Sequence, residues 1–295
     1  MQLQDLDLIV SEHLLEMAGA RVRVRDGEVE VLTEPAIRSC PLRRDLYGID
    51  KESKETVKKV LEEHMAELGM YGPRRVLELE NKPVSFGASE ILFDALTEGL
   101  VDAAVLVCEG AGTVVAAKPE VLQAIGAHMT GLVRTEPIEE IQMGLEDRGC
   151  ILIDRQGRVD QIQGFERAAE AGYRRIAVTV AGHRADEAFE LRKRKRAMGA
   201  GATILAVHTT GISISEAQVL AECCDLVWSC ASRAVREVVG GRALMQIGIA
   251  IPVFALTPMG KRLILNRAMH FDGPLLLHRA GLPLMPEGKQ PEPLV

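Results

Sequence analysis

A glycine-containing segment after a buried strand is the first candidate binding loop of the chain. An apolar strand precedes Glu109, Gly110, Gly112 and Thr113, and a helix is predicted to begin at Pro119. Glycines leave backbone N–H groups accessible, and such groups beside a helix start bind anions in α/β proteins. We therefore predict that Gly110, Gly112 and Thr113 hold an anionic ligand, with Glu109 as an acid–base candidate. A turn without a ligand is the alternative.

Polar residues also follow three predicted strands in the second half of the chain, each shortly before a helix. The carboxyl ends of parallel strands share one edge of a sheet, and ligands of open α/β sheets bind at that edge. Backbone amides, hydroxyl groups and arginine side chains together suit phosphate or carboxylate oxygens. The residues predicted to bind the ligand are Gly182, His183 and Arg184, then Thr209 and Thr210, and then Ser229, Ser232 and Arg233.

Two residues at these strand ends are candidates for catalysis. His208 directly follows an apolar run, and Cys230 lies just before a predicted helix. A histidine suits acid–base chemistry near neutral pH, and a helix N-terminus lowers the pKa of a nearby thiol. The alternative roles are structural: a core histidine with satisfied ring nitrogens, and hydroxyl groups that only cap helices.

The cysteines permit a second type of site. The chain contains six cysteines and no Cys-X-X-Cys pair. Free thiols or ligands are more common than disulfides in a reducing compartment. The spacing argues against a zinc ribbon or a ferredoxin, but ligands from distant loops can converge. Cys40, Cys108, Cys150 and Cys230 are therefore candidates for a metal or iron–sulfur site.

Composition and charge exclude several classes of function. The chain has 295 residues, of which 47% are hydrophobic and 3% aromatic, and its net charge is −7. An acidic chain without a basic, aromatic face is not expected to bind nucleic acid. With no bilayer-spanning stretch and no signal peptide in the sequence, we expect a cytoplasmic protein without a membrane partner. Signatures of serine hydrolases, zinc proteases, P-loop kinases and Rossmann dehydrogenases are missing.

The elements that position these residues begin with a predicted helix over residues 3–18, where apolar residues recur with a helical period. A β-hairpin is predicted over residues 21–32. There, charged residues alternate with valine on both sides of Asp26-Gly27, a pair that tolerates the positive φ angles of a two-residue turn. One face of this hairpin is entirely charged, so we expect Arg–Glu pairs across the strands.

Two further helices are predicted in the first half of the chain. The helix over residues 53–68 has one apolar stripe and places His64 on its polar flank, in solvent. The other begins after residue 85, and either Ser85 or Ser89 is suited to cap it.

Strands and helices alternate regularly after Gly149, with the last strand over residues 247–254. Buried strands that alternate with helices of this length form parallel sheets with right-handed crossovers. We therefore predict an α/β protein with mostly parallel, Rossmann-like sheets. Two lobes that meet near Gly149 are the plainest arrangement, and a single large sheet is the alternative. The predicted parts are an N-terminal lobe over 1–149, a C-terminal lobe over 150–281 and a flexible Pro-rich tail over 282–295.

Five short motifs carry a resemblance to a known family, and their order is more specific than any one of them. They are Cys40-Pro41-Leu42, the segment from Ser85 to Glu90, the segment from Cys108 to Thr113, His208-Thr209-Thr210-Gly211, and Ser229-Cys230-Ala231-Ser232. The chain resembles an uncharacterised family named methanogenesis marker protein eight. The resemblance implies a role near the unusual cofactors of one-carbon metabolism in methane-forming organisms. It implies no reaction and no catalytic residues.

These observations favour an enzyme or enzyme-like protein that binds an anionic small molecule or cofactor at the strand ends. A metal or iron–sulfur protein for cofactor maturation is one alternative, and a non-catalytic assembly partner is another. Strand-end loops that are packed shut would favour the non-catalytic assembly partner. The sequence identifies no cofactor, substrate or reaction, and it leaves open whether the chain forms a homo-oligomer.

Overall fold

A computed structural model describes residues 11–128, 131–286 and 288–295 of the chain. The strands form two sheets, one with four strands and one with eight. The eight-stranded sheet is the centre of the fold, because apolar side chains from both of its faces form the two largest clusters of buried residues.

The four-stranded sheet contains the β-hairpin that the sequence predicts. β2 (Ala20–Arg25) and β3 (Glu28–Val31) are antiparallel, and the two turn residues between them have φ angles of 52° and 78°. Positive φ angles at both positions characterise a tight type I′ turn, which an Asp-Gly pair adopts readily. An ion pair between Arg23 and Glu30 joins the two strands on the exposed face, as the alternating charges predict.

The helix predicted over residues 3–18 is replaced by a strand in its described part, and residues 3–10 lie outside the described residues. β1 (Glu12–Met17) pairs with β2 on one side and with β6 (Gly131–Thr135) on the other. Alternate side chains of β1 are buried, which is the period of a half-buried strand. The apolar residues of this segment also suit a helix, and pairing with β2 and β6 on its two sides decides the outcome.

Two helices lie close to this small sheet. α1 (Pro41–Tyr47) is short, and α2 (Lys54–Leu68) agrees with the helix predicted over residues 53–68. A capping box at Ser53 begins α2, and its apolar stripe packs on the strands. His64 was predicted to lie in solvent but is only 4% exposed. Its ring packs against that of His128, with 4.7 Å between the centroids.

The strands of the larger sheet are β4 (Ala103–Cys108), β5 (Gly112–Ala116), β7 (Ile151–Leu152), β8 (Arg175–Ala181), β9 (Gly201–Val207), β10 (Leu226–Trp228), β11 (Met245–Ile247) and β12 (Val253–Ala255). Their order is β11-β12-β10-β9-β8-β4-β5-β7. The four central strands, β10, β9, β8 and β4, are parallel to one another. The outer strands pair antiparallel with their neighbours.

The sheet is therefore mixed, and the predicted mostly parallel arrangement is not confirmed. Hairpins replace helical crossovers near both edges. The chain turns within three residues between β4 and β5, and the strand predicted over residues 247–254 is divided between β11 and β12. A parallel connection needs about a dozen residues or more, so strands joined by such short turns pair antiparallel.

Helices cover both faces of the larger sheet. One face packs against α3 (Ala88–Thr97), α4 (Pro119–Gly126), α5 (Glu139–Asp147) and α9 (Pro258–Met269). The other face packs against α6 (Gln161–Glu170), α7 (Ala185–Met198), α8 (Ile214–Cys223) and a helical segment over 233–242. The result is the layered α/β arrangement that alternating strands and helices predict. Gly87 is the N-cap of α3, and no side chain caps this helix, so neither Ser85 nor Ser89 has the predicted role.

The predicted boundary near Gly149 falls within the larger sheet. β4 precedes this boundary and β8 follows it, yet the two strands pair directly. β5 and β7, which also lie on opposite sides of Gly149, pair as well. The eight-stranded sheet thus contains strands from both sides of Gly149.

The tail over residues 282–295, predicted to be flexible, makes backbone hydrogen bonds to the rest of the chain. Glu292 forms an isolated β-bridge with Ser39, and the Val295 N–H donates to the carbonyl of Ala231. Proline lacks an N–H donor and cannot continue a ladder, but residues between prolines still pair singly. The Pro-rich composition predicts the irregular backbone and gives no indication of these contacts.

Candidate functional site

A pocket lies at the carboxyl ends of the four parallel strands. Its volume is about 240 Å³, and most of the residues around it are apolar. Adjacent parallel strands end at one edge of a sheet, which is where α/β proteins bind their ligands. The strand-end residues in its wall are Leu106 and Val107 of β4, Thr179 and Ala181 of β8, Val207 and His208 at the end of β9, and Trp228 and Cys230 at the end of β10.

The remaining walls come from the small sheet and from the first turns of three helices. Ser89 and Glu90 of α3, Gln161 of α6, and Arg184 and Glu187 at the start of α7 contribute helix N-termini. Partial positive charge at a helix N-terminus favours a negatively charged group nearby. Another part of the wall is formed by Glu16, Met17 and Ala18 at the end of β1, by Cys40, Leu42 and Arg43 around the start of α1, and by Gly131 and Leu132 of β6.

Five of the residues predicted to bind a ligand, to act in catalysis or to bind a metal lie in this pocket. They are Arg184, His208, Thr210, Cys230 and the proposed metal ligand Cys40. Three strands supply the first four, so the structure brings the predicted strand ends to one place. These loops border an open pocket. Loops that are packed shut were the arrangement expected of a non-catalytic assembly partner.

Other predicted ligand residues lie behind the pocket wall and have structural partners. The Thr209 hydroxyl donates to the Trp228 carbonyl over 2.6 Å, and the Ser232 hydroxyl accepts the Val235 N–H over 3.2 Å. Ser229 Oγ accepts from a buried arginine. These hydroxyl groups have the capping and bridging roles that were the alternative to ligand binding.

Three more predicted ligand residues contribute nothing to the pocket wall. Gly182 packs so closely that an added Cβ atom would lie 2.9 Å from Thr209 Cα. His183 is exposed, and Arg233 is exposed beside the tail, where its N–H donates to the Val295 carbonyl. The side chains on the two sides of a strand end point in different directions, and the sequence does not show which of them face the pocket.

The glycine-containing segment around residues 109–113 does not form the predicted anion site. It is the buried turn between β4 and β5, and its backbone donors are occupied by the protein. The Gly110 N–H donates to Thr135 Oγ1 over 2.7 Å, and the Thr113 N–H donates to the Arg158 carbonyl over 2.9 Å. In the ladder, Gly112 pairs with Cys108. No helix follows this turn directly along the chain, and the Gly110 carbonyl accepts from the N–H of Ile138, the N-cap residue of α5, over 2.8 Å.

Glu109, the predicted acid–base residue, forms a buried ion pair away from the pocket. Its Oε1 lies 2.5 Å from Arg75 Nε, and both side chains are almost completely buried. Arg75 also donates to the backbone carbonyls of Val76 and Ala124. The pair thus fixes the β4–β5 turn against α4, which is a structural role.

The four cysteines proposed as metal ligands lie in two places. Cys40 and Cys230 line the pocket, whereas Cys108 and Cys150 are buried in the core between the larger sheet and its helices. Within residues 11–128, 131–286 and 288–295, no group of three or more His, Cys, Asp or Glu side chains is arranged to hold a metal ion. Burial raises the pKa of each of these four thiols. The sequence analysis predicted a lowered pKa for Cys230, and burial outweighs the effect of the nearby backbone donors.

His208 and Cys230 both have unusual backbone conformations. Their φ angles are +50° and +32°, in the left-handed region that residues with a Cβ atom rarely adopt. Each such conformation is unfavourable by about 1–3 kcal/mol and persists where the surrounding structure imposes it, most often at functional sites. Both residues follow adjacent parallel strands, so the strain is concentrated at one corner of the pocket.

This strain predicts that the usual order of stability of alanine and glycine variants is reversed at position 208. His208→Gly should be more stable than His208→Ala by about 1 kcal/mol, because glycine adopts positive φ without a penalty. At Ala206, which is within regular β9, glycine should instead lower the free energy of unfolding by about 1 kcal/mol. Urea unfolding of the three variants measures both differences. Equal stability of the two variants at position 208 would show that the backbone there is not strained.

Glu187 is a pocket residue that the sequence analysis missed. It is only 5% exposed, its Oε1 lies 2.5 Å from Arg184 Nη2, and its Oε2 accepts no hydrogen bond from any described residue. Burial raises the pKa of Glu187 to about 7, and Arg184 and the Gln161 N–H offset only part of this effect. A buried carboxyl group with an unpaired oxygen is thus poised to exchange a proton near neutral pH. Its one signal in the sequence is its place in the first turn of a helix after a strand end.

Glu16 and His208 face one small space beside Gly131. A Cβ atom at Gly131 would lie 3.2 Å from Glu16 Oε2 and 3.3 Å from His208 Nδ1. Burial raises the pKa of Glu16 and lowers that of His208 to about 4, where the nearby His183 also contributes. His208 is therefore neutral at pH 7.

Comparison with known proteins places the chain in a family. Residues 13–269 match the family described as an uncharacterized protein conserved in archaea (DUF2099). The chain belongs to this family. The pocket residues described above all lie within the part that the DUF2099 family model matches.

A similar protein from a named archaeon matches almost the entire chain. This DUF2099 member is 36% identical to an uncharacterized protein of Methanocaldococcus jannaschii over 291 residues, which cover 97% of this chain and all of that protein. The resemblance is thus confirmed at the level of an uncharacterised archaeal family, and the more specific name of methanogenesis marker is not confirmed. In the part of this DUF2099 chain that the structure describes, no helix has the length and apolar character needed to cross a membrane.

Proposed function

We propose that this DUF2099 protein is an enzyme that binds a small molecule with an anionic group in the strand-end pocket and acts on it by acid–base chemistry. Glu187 carries the proposal, because its buried Oε2 has no partner among the described residues and borders the pocket. A buried polar oxygen without a hydrogen bond is unfavourable by about 1–3 kcal/mol or more. A donor group on a bound ligand would remove this penalty.

The pKa of Glu187 supports a catalytic role over a purely binding one. An acid–base group is most effective when its pKa lies near the working pH, and burial raises the pKa of Glu187 to about 7. His208 provides a second proton acceptor in the same pocket and is uncharged at neutral pH. Two groups in one pocket whose environments give them different protonation states are the usual elements of a proton transfer.

The walls of the pocket support a small ligand with an apolar body and one polar end. Most of the lining residues are apolar, and three helix N-termini converge on the same space. Helix N-termini favour anionic groups, and apolar walls favour burial of a hydrocarbon part. We further propose that the ligand belongs to one-carbon or methanogenesis-related cofactor metabolism in the cytoplasm. This finer proposal depends on the resemblance in the sequence motifs and on the composition.

Thermal unfolding with a panel of carboxylates, phosphorylated metabolites, nucleotides and thiol cofactors tests the proposal. A ligand that binds only the folded chain raises the Tm, by RT ln(1 + [L]/Kd) in free-energy terms. Ala181→Phe places a large side chain in the pocket wall and should abolish this shift. Val133→Phe, at a position on β6 that is 50% exposed, is the matched control and should preserve it. The proposal is wrong if no compound stabilises the natural chain more than it stabilises Ala181→Phe.

A further inference from the structure

Arg236 is a buried arginine directly behind the end of β10. It is 1% exposed, and its guanidinium group donates only to neutral acceptors. Nη1 donates to the carbonyls of Ser229, Cys230 and Ser232 over 2.9 Å each and to Ser229 Oγ over 2.8 Å, Nη2 donates to the Ala250 carbonyl over 3.1 Å, and Nε donates to Gln290 Oε1 over 2.9 Å.

The absence of a counter-charge separates Arg236 from the other buried arginines. Each of the others forms an ion pair with a carboxylate: Arg43 with Glu52 at 2.5 Å, Arg75 with Glu109 at 2.5 Å, and Arg267 with Asp94 at 3.0 Å. No described carboxylate lies within 4.0 Å of Arg236. Burial lowers the pKa of Arg236 to about 10, so the group remains charged at neutral pH. A buried, uncompensated charge is unfavourable by several kcal/mol unless an anion approaches it.

The peptide groups between Arg236 and the pocket have their carbonyl groups toward the guanidinium charge and their N–H donors on the other side. The C=O and N–H of a trans peptide point in opposite directions. Because the carbonyls of Ser229 and Cys230 point to Arg236, the N–H groups of Cys230 and Ala231 point away from it. Both of these residues line the pocket. The Cys230 N–H donates to no described acceptor, and the Ala231 N–H has only a long contact of 3.5 Å to Thr210 Oγ1.

The balance of charge around the pocket limits the ligand to one negative charge. Arg43 and Arg184 line the pocket but are already paired with Glu52 and Glu187. Arg236 is thus the one uncompensated arginine among the described residues at this site. Two further carboxyl groups, those of Glu16 and Glu90, also face the pocket and would repel a dianion such as phosphate more strongly than a monoanion.

We propose that the pocket binds a small monocarboxylate with an apolar body, whose carboxylate accepts hydrogen bonds from the Cys230 and Ala231 amides above Arg236. This inference rests on the proposed function and specifies its ligand class. Successive backbone N–H groups around a left-handed residue form a concave site for anions, and Cys230 has that conformation. The apolar body of the ligand lies between the aliphatic strand-end residues, and its reactive part faces Glu187.

Protection of Cys230 from iodoacetamide tests this assignment, since Cys230 is partly exposed and the five other cysteines are buried. The probes are butyrate, its uncharged analogue butyramide, and inorganic phosphate, with the labelled cysteine identified by peptide mass spectrometry. At about four times its Kd, butyrate should slow alkylation of Cys230 about fivefold. Butyramide and phosphate at the same concentration should slow it less than about twofold. Equal protection by butyrate and butyramide, or stronger protection by phosphate, overturns the inference.

Two variants separate the charge of Arg236 from its hydrogen bonds. Arg236→Gln removes the charge and should abolish the preference for butyrate over butyramide. Gln290→Ala removes one acceptor from the guanidinium group, lies outside the pocket and should leave the preference unchanged. A folded Arg236→Gln variant that still prefers butyrate also overturns the inference. If Arg236→Gln does not fold, the comparison of the two probes on the natural chain decides the question alone.

The failure of this inference is distinguishable from failure of the proposed function. If nucleotides or neutral compounds stabilise the natural chain and not Ala181→Phe, while butyrate neither stabilises it nor protects Cys230, the carboxylate assignment fails and the pocket function stands. If no compound of either series acts through the pocket, both fail.

Discussion

Replacement of Arg75 by alanine is expected to lower the free energy of unfolding by about 3–5 kcal/mol. Arg75 and Glu109 are 2.5 Å apart, and their side chains are only 1% and 4% exposed. The substitution leaves Glu109 as a buried charge without its partner and also removes the donor to the Ala124 carbonyl. Urea unfolding followed by circular dichroism measures the change.

An exposed ion pair is the matched control for this variant. Arg23→Ala removes the ion pair to Glu30, and both of these side chains are more than one third exposed. Solvent screens such pairs, so the free energy of unfolding should change by less than about 1 kcal/mol. Replacing both Arg75 and Glu109 by methionine should recover much of the lost stability, because neither charge is then buried alone. An effect of Arg75→Ala as small as that of Arg23→Ala would show that the β4–β5 turn is hydrated.

Glu187→Gln is expected to stabilise the protein at pH 8 by up to about 3 kcal/mol and at pH 5 by less than about 1 kcal/mol. The unfolded chain releases the Glu187 proton near its ordinary pKa of 4.5, whereas the folded chain holds it up to a pKa of about 7. Between these values the folded state binds more protons than the unfolded state. The free energy of unfolding of the natural chain therefore falls as the pH rises through this range, and it has lost the full amount above pH 7. Glutamine has no proton to release and removes this dependence.

Chemical unfolding of both proteins at pH 5, 6, 7 and 8 provides the measurement, since each pKa unit of difference corresponds to about 1.4 kcal/mol. Glu80→Gln, at an exposed loop position, is the control and should have the same small effect at every pH. A difference between the natural chain and Glu187→Gln that does not change with pH would contradict a raised pKa. A pocket ligand that donates to Oε2 should reduce the difference at pH 8, because it stabilises the carboxylate.

Local signals in the sequence account for the elements that depend on neighbouring residues alone. The Asp-Gly turn of the hairpin over residues 21–32 and the helix predicted over residues 53–68 both agree with the structure. Turn chemistry and side-chain caps act within a few residues, so the printed order of residues contains the information that they need.

Elements that depend on distant partners were predicted less well. β1 has apolar residues that suit a helix and becomes a strand between β2 and β6, the second of which is more than one hundred residues away. The segment around Gly110 has the same appearance as the other strand ends, yet it forms a hairpin within the sheet. A short apolar run followed by glycine is compatible with both outcomes, and only the position of the next strand distinguishes them.

The residues of the candidate site are likewise divided into those that the sequence indicated and those that only the structure revealed. His208, Thr210, Arg184 and Cys230 were recognised because polar residues after apolar strands are visible in the sequence, and all four border the pocket. Glu16, Glu187 and Arg236 were not recognised, because each lies in a segment that is typical of an ordinary strand or helix. Their importance comes from burial and from missing partners, which are properties of the packed chain.

The sequence alone determined that buried strands alternate with helices and that their ends are rich in polar residues, because periodicity and turn chemistry are local properties. The tertiary structure decided which of these ends share one pocket, and it placed Glu109 in an ion pair and Glu187 beside a free space. The physical reason is that the protonation and partners of a side chain depend on the solvent and charges removed around it. Those are set by the packing of segments that are far apart in the chain.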